Sequence, residues 1–276
     1  MILAIDIGNT HMVLGCIRES DNKVIRHIQM STNKIETYHE YAAEISRILV
    51  LEKIDPKEFR GCLISSVVPS VTHVVAEAVR LLTGENAQIL GEGVEVGLEL
   101  DMNGIPTSAI AGDLLATAVA AKAEYPMPAL IIDMGTATTM TALSSRGVYL
   151  GGCILPGPGT ALKGLIADTS LLPAVDFIAP DRAIAKDTVN AIRSGIVYGS
   201  AGQIDGLLDR FTKELSDIEG REVSPTCLAT GGMGRLIAPF CRHSIIVDNE
   251  LLLKGLGIIW KLNHLETESE LNEKSR

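Results

Sequence analysis

The chain has 276 residues, 46% hydrophobic and 21% charged, which suits one large or two smaller α/β domains and excludes disorder and collagen-like repetition. Its 24 basic and 34 acidic side chains give a formal charge of −10, so a broad nucleic-acid-binding face is not expected. A small anion held by backbone amides stays open.

In chain order, residues 2–10 read ILAIDIGNT, a β-prone run ending in Asp6, one apolar residue and Gly8. The apolar stretch 11–17 that follows predicts a hairpin closed at a glycine turn. Thr37 with Glu40 forms a capping-box signature, opening a helix whose apolar face is Tyr41, Ala42, Ile45, Ile48 and Leu49. Leu63 to Val68 predicts a short buried strand, and Pro69 precedes a helical run, Val74 to Leu82, stopped by Gly84. Asp113 to Glu124 predicts an Ala-rich helix. Residues 130–139, LIIDMGTATT, then echo the first motif, with a second apolar stretch over 138–143. Two copies half a chain apart imply two similar domains rather than a solenoid. The expected division is an N-terminal domain 1–112, a C-terminal domain 113–263 and a polar tail 264–276 whose last residues fray. Residues 187–215 are helical in pattern and carry Gly195, Gly199, Gly202 and Gly206 on one stripe. Each interior glycine costs about 1 kcal/mol relative to Ala, so close approach of another element is expected, internal packing foremost.

The cysteines, Cys16, Cys62, Cys153, Cys227 and Cys241, form no CxxC or CxxxC pair, and the six histidines are scattered. Free thiols in a reducing compartment are expected, without a disulfide framework or metal cluster. Apolar runs fall short of the ~18 residues of a membrane span, and Asp6 interrupts the first run too early for a signal peptide. A cytoplasmic protein without membrane contact is the expectation.

An Asp at a strand end before a glycine turn stands where loop amides converge on a phosphate. Gly8 and Gly135 permit close backbone approach, and Thr10, Thr136, Thr138 and Thr139 add hydroxyl donors. Asp6 and Asp133 are then placed to hold a cation against that phosphate, and two such loops would grip a triphosphate from both sides. Other nucleotide and hydrolase signatures are missing from the sequence: there is no GxxxxGK[ST], HExxH or GxSxG, and the GxG pairs at Gly91, Gly157, Gly232 and Gly255 lack the third glycine.

Together with Ala229-Thr230-Gly231-Gly232, the two loops resemble the phosphate and adenosine elements of the actin, sugar-kinase and heat-shock ATPase superfamily. Within it the chain resembles the type III pantothenate kinases, through DIGNT at 6–10, SSVVP at 65–69, IIDMGTATT at 131–139, GGCILPGPG at 151–159, DTSLLPAVD at 168–176, DTVNAIRSGIVYG at 187–199 and ATGG at 229–232. The resemblance covers about residues 1–260. It implies an α/β protein of two ribonuclease-H-like domains, mixed sheet plus helices, facing across a nucleotide cleft, and a homodimer. It also implies ATP-dependent phosphorylation of pantothenate, the first step of coenzyme A biosynthesis, with Mg²⁺ and a monovalent cation, K⁺ or NH₄⁺. By position, Asp6, Ile7, Gly8, Asn9, Thr10, His11, Met12 and Val13 cradle the ATP phosphates, Thr136 contacts ATP, and Asp133 binds the monovalent cation. Ala111, Gly112, Asp113, Leu114 and Thr188 fall at the pantothenate positions, with Asp113 at that of the general base.

One stretch departs from the family pattern. Leu114 stands where the family carries Arg and Ala111 where it carries Gly, with no Tyr or Phe nearby. Leu cannot pair with a carboxylate as Arg does. Two alternatives therefore stand beside the kinase: a nucleotide-binding accessory protein, and a kinase for another small hydroxyl substrate. Asp113 likewise reads as a general base, as a helix cap or first-turn carboxylate, or as both.

Overall fold

The computed structural model describes residues 1–102, 104–169 and 171–273. The chain divides into two compact units, each built on a five-stranded mixed sheet. In the first, β1 (Ile2–Ile7) pairs antiparallel with β2 (His11–Arg18), which pairs with β3 (Lys23–Ser31). Helix α1 (Tyr38–Leu51) leads to β4 (Cys62–Ser66), parallel to β1, and α2 (Pro69–Thr83) to β5 (Ala87–Ile89), parallel to β4. The sheet order is β3-β2-β1-β4-β5. Helix α3 (Gly112–Glu124) follows.

The second unit repeats the plan. Strand β6 (Ala129–Met134) pairs antiparallel with β7 (Ala137–Leu143), and β7 with β8 (Tyr149–Pro156). Helices α4 (Pro158–Ala167) and α5 (Thr188–Glu219) lead to β9 (Thr226–Thr230), parallel to β6. The short α6 (Gly234–Ile237) precedes β10 (Ile246–Val247), parallel to β9, and the chain ends in α7 (Leu251–Glu273). The order β10-β9-β6-β7-β8 is that of the first sheet strand for strand.

Local sequence accounts for most element ends. The Thr37 side chain accepts from the Glu40 amide while Glu40 reaches back to the Thr37 amide, closing the expected capping box on α1. Pro69 is the first residue of α2, where its missing N–H is an orphan in any case, and Gly84 ends the helix in the left-handed region at φ +85°. Asp187 caps α5 by accepting from the Asn190 amide.

Strand alternation then sorts the side chains. Leu3, Ile5 and Ile7 of β1, with Met12, Leu14 and Cys16 of β2, form one core with Tyr41, Ile45 and Leu49 of α1 and Val71, Val75 and Val79 of α2. The opposite face carries Ile2, Ala4 and Asp6 and takes α7, where Leu253 lies against Gly15. In the second unit Leu130, Ile132 and Met134 pack on Val197, Ala201, Ile204 and Leu208 of α5, which leaves Asp133 on the opposite face of β6. The cysteines are free thiols, with Cys16, Cys62 and Cys227 buried. No helix among the described residues is long and apolar enough to cross a membrane.

The first compact unit takes residues 1–98, the segment with α3 through Ala123, and the chain from Glu250 on. Apolar packing decides this, because Gly255 of α7 seats directly on the backbone of Ala116 in α3. The polar tail is helical through Glu273, and its start is held by the His264 ring stacked 3.6 Å from Trp260; residues 274–276 lie outside the described residues. The glycine stripe of α5 is not an internal contact. A Cβ on Gly195, Gly199, Gly202 or Gly206 would meet nothing within 4 Å among the described residues, because α5 packs through its other side.

Candidate active site

Within the first unit, Asp6 lies one residue before the end of β1, half-buried. Ile7 pairs with Met12, so four residues, Gly8 to His11, make the turn, with the Gly8 amide donating to the His11 carbonyl at 3.0 Å. Met12 is buried and Val13 half-buried in β2, whereas Asn9, Thr10 and His11 are exposed. Thr32 clamps this turn: its hydroxyl donates to the Gly8 carbonyl at 2.7 Å and its amide to the Thr10 carbonyl at 3.0 Å.

Across β1, the parallel strand β4 places Ser65 opposite Asp6, and the Ser65 hydroxyl donates to Asp6 Oδ1 at 2.9 Å. The same hydroxyl lies close to Gly112, the first residue of α3, so the start of α3 stands beside the residue that bonds Asp6. Ala111, Gly112, Asp113 and Leu114 are each half-buried there. Asp113 sits in the first turn of α3, where its Oδ1 accepts from the Leu114 amide at 2.7 Å. Burial raises its pKa above the ordinary carboxylate value, against a smaller lowering by backbone amides. Asp113 is thus a first-turn carboxylate that holds its proton more tightly than an exposed one.

In the second unit, Asp133 occupies the matching place in β6, with Thr139 opposite it on β7 and Thr230 on β9. Gly231 follows in the left-handed region at φ +82°, with the Asp133 carboxylate and the Met134 backbone where a side chain would go, so only glycine fits. The turn spans three residues, Gly135 to Ala137, since Met134 pairs with Thr138. Thr136 is exposed on it, and its carbonyl accepts from the Gly157 amide at 3.1 Å and the Thr160 hydroxyl at 2.6 Å. Gly157 lies so close to the Gly135 carbonyl that a Cβ there would overlap it. Thr188 stands exposed on the first turn of α5, on a different element from the Asp133 turn.

The structure thus gathers Asp6 to Val13 with residues 111–114 in one unit, and Asp133 with Thr136 and the Gly231 loop in the other. Thr32, Ser65 and Thr160 are the hydroxyl residues that only the structure brings to these turns. Ser65 lies in SSVVP and Thr160 directly follows GGCILPGPG, whereas Thr32 belongs to no motif. No group of three or more His, Cys, Asp or Glu side chains is placed to hold a metal ion among the described residues.

A family model described as type III pantothenate kinase matches residues 2–210. The type III pantothenate kinase of Moorella thermoacetica is 35% identical over 95% of this chain and 100% of its own length. Among solved structures, a Baf family transcriptional activator from Campylobacter jejuni superposes with a TM-score of 0.57 at 18% identity, covering 95% of this chain and 98% of its own. A 2-dehydro-3-deoxygalactonokinase from Sinorhizobium meliloti does so with 0.56 at 13% identity, covering 95% and 96%. These two likenesses describe the fold alone. On the family match and the full-length relative, the chain belongs to the type III pantothenate kinase family.

Proposed function

We infer that this chain transfers the γ-phosphoryl group of ATP to the hydroxyl of pantothenate, the first step of coenzyme A biosynthesis. The observation that supports the reading is the run of contacts from Asp6 through Ser65 to Gly112, the residue before Asp113, within one unit. Phosphoryl transfer asks little covalent chemistry of a protein, mainly alignment and charge neutralisation. Asp113, with its raised proton affinity, accepts the proton of the attacking hydroxyl as the new P–O bond forms. The turn Gly8 to His11 offers amides and polar side chains to the phosphates, and Thr136 is assigned to ATP as well.

Asp6 is assigned to Mg²⁺ and Asp133 to a monovalent cation, K⁺ or NH₄⁺. Carboxylate oxygens are the donors such hard ions prefer, and since no three His, Cys, Asp or Glu side chains gather among the described residues, phosphate oxygens and water would supply further ligands to each ion. The bound cation would supply neutralisation of charge developing on the phosphates. Thr188 and residues 111–114 are assigned to pantothenate. A homodimer in the cytoplasm belongs to the same reading, supported by the glycine stripe of α5 that this chain leaves open.

Purified protein given ATP, Mg²⁺, K⁺ or NH₄⁺, and pantothenate is expected to release ADP and form phosphopantothenate. A folded protein without transfer under all those conditions refutes the assignment. Leu114 beside Asp113 favours one rival, a kinase for a different small alcohol, which ADP release across pantothenate analogues would expose.

A further inference from the structure

We propose that Ser65 is a positioning residue of the phosphoryl-transfer site, whose buried hydroxyl fixes the Asp6 carboxylate and sets its spacing from the turn of α3 that bears Asp113. The inference rests on the kinase reading above and adds to it a residue that neither the Asp-Gly motif nor the acceptor stretch contains.

Ser65 and Ser66 are adjacent, and strand alternation sends them to opposite faces of β4. Ser66 is half-buried and serves the entry to α2, its oxygen accepting from the Val68 amide at 3.0 Å and lying 2.8 Å from the Thr72 hydroxyl. Ser65 is fully buried on the other face and lies level with Asp6 across the parallel pair. Its single proton goes to Asp6 Oδ1 at 2.9 Å, a charge-assisted bond that also fixes the carboxylate's rotation about Cβ–Cγ. The remaining side of the same oxygen is the floor under the start of α3. A Cβ on Gly112 would come within 3.1 Å of both Ser65 Oγ and the Leu90 side chain, so a side chain at the start of α3 would crowd Ser65. One oxygen atom therefore touches the group assigned to the cation and abuts the residue preceding the base. Misplacing either reacting group by about 1 Å is enough to cost phosphoryl transfer dearly. The second unit offers the natural substitute, since Thr230 occupies the equivalent register position opposite Asp133.

The test is calorimetric binding of Mg-ATP to the full chain as wild type, Ser65→Ala and Ser65→Thr, with steady-state kinetics and thermal melts on the same preparations. For Ser65→Ala we expect Mg-ATP to bind about tenfold more weakly, with KM for ATP rising in step and kcat falling as well. KM for pantothenate should stay at the wild-type value and Tm should move by less than about 2 °C. Ser65→Thr is expected to restore ATP affinity. Wild-type ATP binding and kcat in Ser65→Ala overturn the proposal. So does a uniform loss of ATP affinity, pantothenate KM and Tm, which is the mark of a merely structural serine, and so does a folded Ser65→Thr that restores nothing. Should the wild type bind ATP yet leave pantothenate untouched, the kinase reading fails while calorimetry still decides the role of Ser65.

Discussion

The two units share a strand order and differ in what they attach to it. In each, a central strand carries an Asp one residue before its end, an antiparallel neighbour follows a short turn, and a parallel neighbour sets a hydroxyl residue, Ser65 or Thr230, opposite the Asp. The first turn has four residues and is clamped by Thr32; the second has three and is held by Gly157 and Thr160. After the parallel strand, the first unit turns through Ser66 into α2, whereas the second wraps Gly231 against Asp133. After the fifth strand, α3 brings Asp113 to the site, while its counterpart α7 has no acid in its first turn and serves as an apolar cover for the first sheet. A duplicated scaffold thus fixes where two carboxylates stand, and turn lengths and following segments give each different surroundings.

Removing Asp113 is the strongest way to break that asymmetry. Asp113→Asn should lower turnover by at least about a hundredfold, while calorimetry finds ATP binding retained. The same substitution is expected to raise Tm at neutral pH. Because the folded-state pKa of Asp113 is raised, its contribution to stability is fully present below the ordinary carboxylate range and is lost as pH rises through the folded value. The Tm advantage of Asn should therefore shrink toward about pH 4. Equal melting curves at all pH values would contradict the burial argument.

A smaller effect should separate the two Asp residues. Asp133→Asn should cut activity about tenfold and flatten the rate against K⁺ concentration, leaving a normal dependence on Mg²⁺, as loss of one charged ligand would. A variant that keeps its K⁺ response would remove Asp133 from the cation site and leave the units more alike than proposed. The smallest effect belongs to the scaffold alone. Thr37→Ala, which opens the capping box of α1, should cost about 1 kcal/mol in denaturant unfolding and leave kcat and both KM values in place.

The Asp-Gly echoes were legible because a strand, a carboxylate and a glycine turn are local, and so was the capping box of α1. Ser65 appeared only inside a quoted segment, since its role depends on β4 aligning with β1 across 59 residues of chain. The glycine stripe was visible, but whether α5 turns it inward is settled by its competing apolar side, Val197, Ala201, Ile204 and Leu208. The grouping of distant segments was hidden for a related reason. Helices α3 and α7 each follow the last strand of a sheet, and both join the first unit, where Gly255 of α7 seats on the backbone of Ala116.

Sequence alone determined the two strand-turn motifs, the capped helices and the family, all written in short-range order and spacing. Only the tertiary structure decided which hydroxyl holds Asp6, that Asp113 is buried enough to keep its proton more tightly, and that α5 leaves its glycines open. Hydrogen bonding and desolvation depend on neighbours in space, and those neighbours are distant along the chain.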